Sequence, residues 1–484
     1  MCEPMKLIPS ESLSEAQVQR GLHLVIRDGL AAETMIVLTG GAFLTALALQ
    51  LGASNFQIGV LAALPTFTNI FQLLAIWLVQ RYRNRRAIAV IGGVLARFPL
   101  IMIGLLPWLF SGGASLYALI SFLCFHYFFS SIAGASWNSW MKDLIPDRIL
   151  GTYFSRRTRL CQTLNVTLSL LSALAVDYLK SHYPGSEVIT YTAMFLLAGL
   201  AGMLGVWALA RVPEPALQAV DENVFRQLRQ PLQDNNFRNM LLFNACWIFA
   251  LNLATPFFNV YMIQSLGLPL SGIIALGILS QVSSICAVSI WGRYIDRYSN
   301  KNVLYICAPV YICCLLAWAL TALIPSFTGI VALLILINIG TGVSNAGITL
   351  SLNNIGIKLA AKEQAMVYLT AKNMIIAFAS AAAPLLGGLL ADSFTSWQQT
   401  LTGPLQHLQT WNFFFVFSAL FAILAMRMLR SVKETGEVSR NIITLRMMAG
   451  LRYRIKDVHS GQVLRRIIYT PAKWKQPAER KKRA

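Results

Sequence analysis

The sequence predicts an all-α membrane protein whose twelve transmembrane helices form two parallel six-helix halves. Three observations support this: long apolar blocks, a one-sided distribution of basic residues and an internal duplication. The chain has 484 residues, of which 56% are hydrophobic and only 12% are charged. Soluble domains carry roughly 25% charged residues, so this chain would expose too much apolar surface to water. Lipid is therefore its expected solvent.

Twelve apolar blocks are long enough to cross a bilayer as helices, which takes about 20 residues. Barrel strands are excluded because the blocks are continuously apolar and do not alternate. Helices also satisfy their backbone hydrogen bonds within lipid. The predicted spans are residues 30–51, 57–79, 87–110, 115–137, 159–180, 189–210, 240–264, 271–292, 303–325, 327–349, 367–391 and 411–430.

Basic residues lie on one side of this arrangement. All but two of the 40 Lys and Arg residues fall there, the exceptions being Arg97 inside a span and Lys180 at the edge of one. Cytoplasmic loops carry such an excess, so both termini are expected in the cytoplasm and the chain in the cell inner membrane. The polar first 29 residues show no cleavable signal peptide, and span 1 is expected to insert as its own signal.

The second half of the chain repeats the first at an offset of 215 residues. The repeat predicts two six-helix halves of the same orientation, a plan found in one large class of secondary transporters. A few extra residues enter before span 12. The coincident pairs are Leu51 with Leu266, Gly52 with Gly267, Asn138 with Asn353, Tyr153 with Tyr368, Arg157 with Lys372, and Asp177 with Asp392.

The predicted organisation has five parts. They are a cytoplasmic N-terminal segment (1–29), the first six-helix half (30–210), a charged, proline-containing cytoplasmic linker (211–238), the second half (239–430) and a basic cytoplasmic tail (431–484).

A short motif between spans 8 and 9 resembles a family signature. Residues 292–301 read Gly-Arg-Tyr-Ile-Asp-Arg-Tyr-Ser-Asn-Lys and resemble G-x-L-A-D-R-x-G-R-K of the major facilitator superfamily. Ser299 and Asn300 depart from the signature. On this motif, and on Pro384–Gly388 with Asp392 in span 11, the chain is identified as a member of a bacterial branch of the superfamily. The resemblance covers about residues 25–430 and implies the major facilitator fold, but names no substrate.

The first half departs further from the family pattern. Arg81 stands where the signature has Asp, and Trp77 stands where it has Gly. Span 5 also lacks the Gly-Pro motif of the family's drug/proton antiporters, which argues against that subclass.

The resemblance implies a cytoplasmic gate, in which the signature carboxylate joins the two halves when that side is closed. A carboxylate is stabilised by a helix N-terminus and by nearby cations. The alternative is that these are ordinary loop charges, whose pairs contribute little. The predicted gate residues are Asp296, Arg297, Lys301, Arg156, Arg157 and Arg159.

Ionisable residues inside the spans are costly and are therefore candidates for a solute cavity. Glu33 is read as a proton site or cation ligand, with an interfacial pair to a loop Arg as the alternative. Arg97 is read as a site for a substrate anion, or else as a structural ion pair. His126 is a cavity residue able to carry a proton, or ordinary packing. Asp177 and Asp392 are read as interfacial.

Uncharged polar residues form stripes on two further spans. A polar stripe in lipid faces a cavity or another helix. The cavity interpretation selects Asn252 and Thr255 on span 7, and Asn338 and Asn345 on span 10. Asn252 and Asn345 lie near mid-depth and are the preferred pair for a polar solute. The alternative is hydrogen bonding between helices.

These features predict a secondary carrier that moves a small solute by alternating access, driven by a proton or solute gradient. No Walker sequence supports direct use of nucleotide, and neither enzymatic activity nor a cofactor is expected. The eight cysteines form no metal-binding spacing. The alternatives are a transporter-like receptor or scaffold without flux, and a membrane-embedded enzyme acting on lipids.

The expected partners follow from charge. They are a small-molecule substrate and anionic lipid headgroups, which the basic tail would contact. No motif supports nucleic-acid binding, and a monomer is expected.

Overall fold

The computed structural model describes residues 13–110, 112–146, 149–216, 230–359, 365–398 and 410–434. Within them it contains twelve helices long and apolar enough to cross a membrane, which confirms the predicted fold class. Numbered α1 to α12 in chain order, the helices are Glu15–Gln50, Asn55–Tyr82, Arg85–Gly104, Ala114–Leu144, Thr152–His182, Glu187–Leu209, Asn235–Ser265, Leu270–Tyr298, Asn300–Leu320, Phe327–Gly356, Tyr368–Gln398 and Thr410–Ser431. Most of the predicted linker and tail lies outside the described residues.

Helix α1 begins well before its apolar block. Ser14 and Gln17 form a capping box, in which the Ser14 hydroxyl accepts from the Gln17 N–H and the Gln17 side chain accepts from the Ser14 N–H. The helix breaks at Gly40, where the backbone is extended, and restarts at Gly41, whose φ is +55°. The apolar block therefore marks only the membrane-embedded part of a longer, broken helix.

The duplication is visible in the backbone. Gly52 ends the turn between α1 and α2 with a φ of +81°, and Gly267 occupies the equivalent turn between α7 and α8 with a φ of +61°. Glycine adopts this left-handed conformation without a steric penalty. The repeated Leu-Gly pair thus marks the same turn in both halves.

Equivalent helices pack alike within each half. Helix α3 packs on α4 and α6, as α9 packs on α10 and α12, and α1 packs on α6, as α7 packs on α12. Small residues make these contacts close: a Cβ placed on Gly205 of α6 would lie 2.9 Å from the Ala31 Cβ of α1. We call the end that carries residues 81–86, 142–159 and 293–301 the basic side, and the other end the opposite side.

A buried glutamate closes each half on the basic side. Glu214, after α6, accepts the N–H groups of Arg85 and Arg86 at 2.8 and 3.0 Å, in the first turn of α3. Glu434, after α12, accepts the N–H groups of Asn300 and Lys301 at 3.3 and 2.9 Å, in the first turn of α9. Each carboxylate satisfies N–H groups that have no partner within their helix.

Hydrogen bonds control the ionisation of Glu434. Burial raises its pKa, but bonds from the Lys301 N–H, the Asn300 amide and the Lys358 ammonium outweigh burial and hold the pKa below its ordinary value. A carboxylate with a lowered pKa contributes all of its stabilisation above the pKa of the unfolded chain. That contribution is lost as the pH falls through the lowered value.

We predict that Glu434→Gln lowers the free energy of unfolding at neutral pH by about 1.5–3 kcal/mol, the usual range for hydrogen bonds to a charged group. The difference from wild type should shrink in acid. Thermal unfolding and hydrogen exchange at the first turn of α9 measure both effects. Glu187→Gln is the matched control, because Glu187 bonds to the N–H of Gly185 in its own turn. Unchanged exchange in α9 would contradict the capping role.

Candidate functional site

Two aspartates join the halves on the opposite side. Asp177, near the end of α5, accepts the N–H groups of Leu270 and Ser271 at 3.0 and 2.8 Å. These residues form the first turn of α8, in the other half. The negative carboxylate therefore meets the positive end of a helix across the gap between the halves.

The duplicated aspartate repeats this contact in the reverse direction. Asp392, near the end of α11, accepts the Asn55 side-chain amide at 2.9 Å and the Phe56 N–H at 3.1 Å, at the start of α2. Each half thus supplies a carboxylate to a helix N-terminus of the other. We call the two contacts, made by Asp177 and Asp392, the opposite-side latch.

Glycines bring α2 and α11 into backbone contact beside this latch. A Cβ placed on Gly59 would lie 2.2 Å from the Pro384 carbonyl oxygen, and one on Gly388 would lie 2.6 Å from the Phe56 Cα. Such distances leave no room for any side chain. The opposite side is therefore sealed by direct contact between the two halves.

The basic side is open. A cavity of about 610 Å³ is lined by Thr152, Ser155, Arg156, Arg159 and Leu160 on α5. Along the basic-side ends of α5 and α8, exposed side chains cover more than half of each helix's circumference. A helix that met only lipid on one face and protein on the other would expose less.

The predicted gate residues are not joined in this conformation. Asp296 and Arg297 are exposed on α8, and the part of the chain that the structure describes contains no ion pair of Asp296. The Arg297 guanidinium lies 5.4 Å above the Tyr298 ring. Lys301 is buried in the first turn of α9, where its N–H meets Glu434. Because the gate concerns a closed basic side, it stays a prediction.

Glu33 joins α1 to α5. Its Oε1 accepts a hydrogen bond of 2.7 Å from the Asn165 side-chain amide, and Glu33 is half-buried. The structure thus places Glu33 against a polar partner in the same half. Among the described residues no loop arginine pairs with it. Asn165 was not among the residues predicted from the sequence.

Arg97 and a second buried acid lie deeper in the first half. Arg97 donates to the Gly93 carbonyl at 3.2 Å in its own helix, and within the described residues its buried Nε has no partner. Asp28 on α1 is only 5% exposed and interacts electrostatically with Arg97 and Arg157. No nitrogen of the described residues lies within ion-pair distance of it, and its Oδ1 lacks a hydrogen bond there.

Sequence analysis assigned Asp28 to the polar N-terminal segment and so missed it. The apolar residues Leu22 and Val25, which are buried, lie on the helix ahead of it. Their three-residue spacing to one another and to Asp28 was the available signal that this segment is a packed helix.

The other predicted residues bond mainly within their surroundings. His126 is buried, with Nδ1 2.6 Å from the Ala96 carbonyl oxygen of α3. On α7, the Thr255 hydroxyl donates to the Leu251 carbonyl. On α10, the Asn338 amide donates to the Leu334 carbonyl.

The preferred pair for the solute differs in exposure. Asn252 is half-buried on α7, and Asn345 is exposed on α10, where its Oδ1 accepts from the Thr349 hydroxyl at 3.4 Å. No hydrogen bond between Asn252 and Asn345 is seen in the described residues. Their role in solute binding stays a prediction.

Solved structures show the same fold at low sequence identity. The nucleoside transporter NupG is 12% identical, with a TM-score of 0.64 over 87% of this chain and 100% of that one. An inward-facing bacterial homologue of the human lysosomal transporter Spinster is 15% identical, with a TM-score of 0.59 over 87% and 100%. An inward-facing bacterial homologue of the iron transporter ferroportin is 14% identical, with a TM-score of 0.61 over 87% and 100%.

No curated protein matches the chain. The sequence profile of the Major Facilitator Superfamily matches residues 30–368, which is well over half of the chain. Together with the twelve helices and the likeness to solved transporters, this match establishes the family. The chain belongs to the Major Facilitator Superfamily and is a multi-pass membrane transporter.

Proposed function

We propose that the chain is a secondary transporter that moves a small solute by alternating access, driven by a proton or solute gradient. The opposite-side latch is the observation that carries this proposal. Two reciprocal carboxylate contacts hold one side shut while the other side opens into a cavity. Such an arrangement is one end state of a rocking motion between two halves.

The basic side is proposed to face the cytoplasm, because basic loops remain on that side of bacterial membranes. The conformation is then inward-facing, and both termini lie in the cytoplasm at the inner membrane. The Spinster and ferroportin homologues are described as inward-facing, which supports the same interpretation. The protein is proposed to act as a monomer, with its basic tail on anionic lipid.

The similar transporters differ in cargo, so none is carried over to this chain. They include a nucleoside transporter, a ferroportin homologue and a transporter of the POT family with bound 5-aminolevulinic acid. A receptor without flux is the remaining alternative, and transport itself separates the two.

We predict flux of at least one solute in proteoliposomes loaded with a metabolite extract, detected by mass spectrometry. Gly59→Val should lower its rate at least about tenfold, since a penalty of about 1.4 kcal/mol suffices and the side chain would strike the Pro384 carbonyl. Gly277→Val is the control, because a Cβ there meets open space. A well-folded protein that moves no solute would favour the receptor.

We predict that removing the latch opens the opposite side. Each lost cap costs about 1 kcal/mol, so Asp177→Ala with Asp392→Ala should shift the conformational equilibrium at least about tenfold. Spin labels at the exposed Gln50 and Ser396, in a background without native cysteines, report the distance between the halves. The population at long distance should grow.

Two further variants show whether the latch accounts for that shift. Glu187→Ala removes another opposite-side carboxylate, whose bond is local, and should leave the distances unchanged. Asp296→Asn weakens the proposed gate on the basic side and should increase the population with a closed opposite side. If both aspartate variants leave the distances as in wild type, the latch is wrong.

Glu33 is the better supported of the two proposed proton carriers. It bonds Asn165 between α1 and α5, next to the open side, whereas His126 faces Ala96 inside the first half. We predict that Glu33→Gln abolishes accumulation driven by a pH gradient while exchange of solute continues. His126→Gln is measured in parallel. Accumulation that still follows the pH gradient in the double variant would exclude both residues.

A further inference from the structure

Arg157, at the basic-side end of α5, is a guanidinium without a hydrogen-bonding partner in the described structure. Its Cζ lies 5.0 Å from the centre of the Trp137 ring, and its Nε is buried and unpaired. Gly29 of α1 makes room for it, because a Cβ there would lie 2.7 Å from that Nε. The guanidinium is thus held in place by packing on both sides while its donors stay unused.

The duplicated position in the second half shows the contrast. Lys372 is 4% exposed, and its ammonium donates to the Leu352 carbonyl at 2.9 Å and lies 3.5 Å from the Asn353 Oδ1. Leu352 is the equivalent of Trp137 at the offset of 215 residues. In the second half the protein itself satisfies the cation, and in the first half it does not.

The neighbouring acid does not fill this role. Asp28 lies close enough for an electrostatic interaction, but no nitrogen of Arg157 comes within ion-pair distance of it. An unpaired buried donor costs free energy, and a guanidinium presents its donors in a fork that fits a carboxylate or phosphate. An acceptor from outside the protein would complete the site.

The site is reachable and lies beside other polar groups. Arg157 is half-buried, and its neighbours Arg156 and Arg159 line the open cavity, where their charge attracts anions. Arg157 and Asn165 are eight residues apart and so share one face of α5. The bond from Asn165 to Glu33 places this face against α1.

We propose that Arg157, seated between Trp137 and Gly29, anchors an oxyanion group of the transported solute, either a carboxylate or a phosphate. The proposal rests on the proposed transport function and names its substrate class. It assigns Arg157 to solute binding and leaves Arg156 and Arg159 as gate residues. Each of these three arginines therefore has a distinct expected behaviour.

The test uses acetate and inorganic phosphate as probes. The purified full-length protein is titrated with each anion against chloride at constant ionic strength, and the melting temperature is followed. Stabilisation that saturates with acetate or phosphate is expected for wild type and for Arg156→Gln, the matched control. Arg157→Gln should weaken the apparent affinity at least about tenfold.

Two more variants keep the test decisive if Arg157→Gln folds poorly. Arg157→Lys retains the charge but not the fork, so it should bind the anion more weakly than wild type. Asp28→Asn removes a competing negative charge and should bind it more tightly. The proposal is overturned if neither anion stabilises the protein more than chloride does, or if the Arg157 variants bind as wild type does.

Anionic lipid is the other source of the same chemistry. If added phosphatidylglycerol, and neither free anion, stabilises the protein through Arg157, the position is a headgroup site and the solute proposal is wrong. Failure of transport is a separate result. A protein that binds the anions through Arg157 but moves no solute would refute the transport function, whereas flux of neutral solutes independent of Arg157 would refute only this inference.

Discussion

The structure depends on one recurring interaction, a carboxylate that accepts the free N–H groups of a helix N-terminus. Four helices receive it: α3 from Glu214, α9 from Glu434, α8 from Asp177 and α2 from Asp392. The first N–H groups of any helix lack partners within it, and in a membrane protein water is not always available to supply them. The charge on the acceptor also matches the positive end of the helix.

The four contacts divide by the distance they span in the fold. The two glutamates act within a half, where they are buried and have several donors, and they make each half a rigid body. The two aspartates act between halves, with two donors each and at the membrane surface. The same chemistry therefore gives a permanent fastening in one place and a separable one in the other, because burial and the number of donors differ.

Much of the fold was readable from the sequence, because apolar length and basic asymmetry are local properties. The Leu-Gly pairs at 51–52 and 266–267 even located equivalent turns. The role of Asp177 and Asp392 was not read, although their shared offset was noticed, since no local pattern shows which helix end faces them. Arg157 is similar: its sequence neighbours are other arginines, whereas its environment is set by Gly29 and Trp137 on other helices.

The break in α1 bears on how the halves separate. The segment Gly41–Gln50 contacts α7 and α8 of the other half, while the longer segment before Gly40 packs in its own half. A Cβ on Gly41 would meet nothing within 4 Å, so the joint is unobstructed. Ten residues can pivot there as a short lever. The seal on the opposite side then yields in stages, and the barrier to opening is divided into smaller steps.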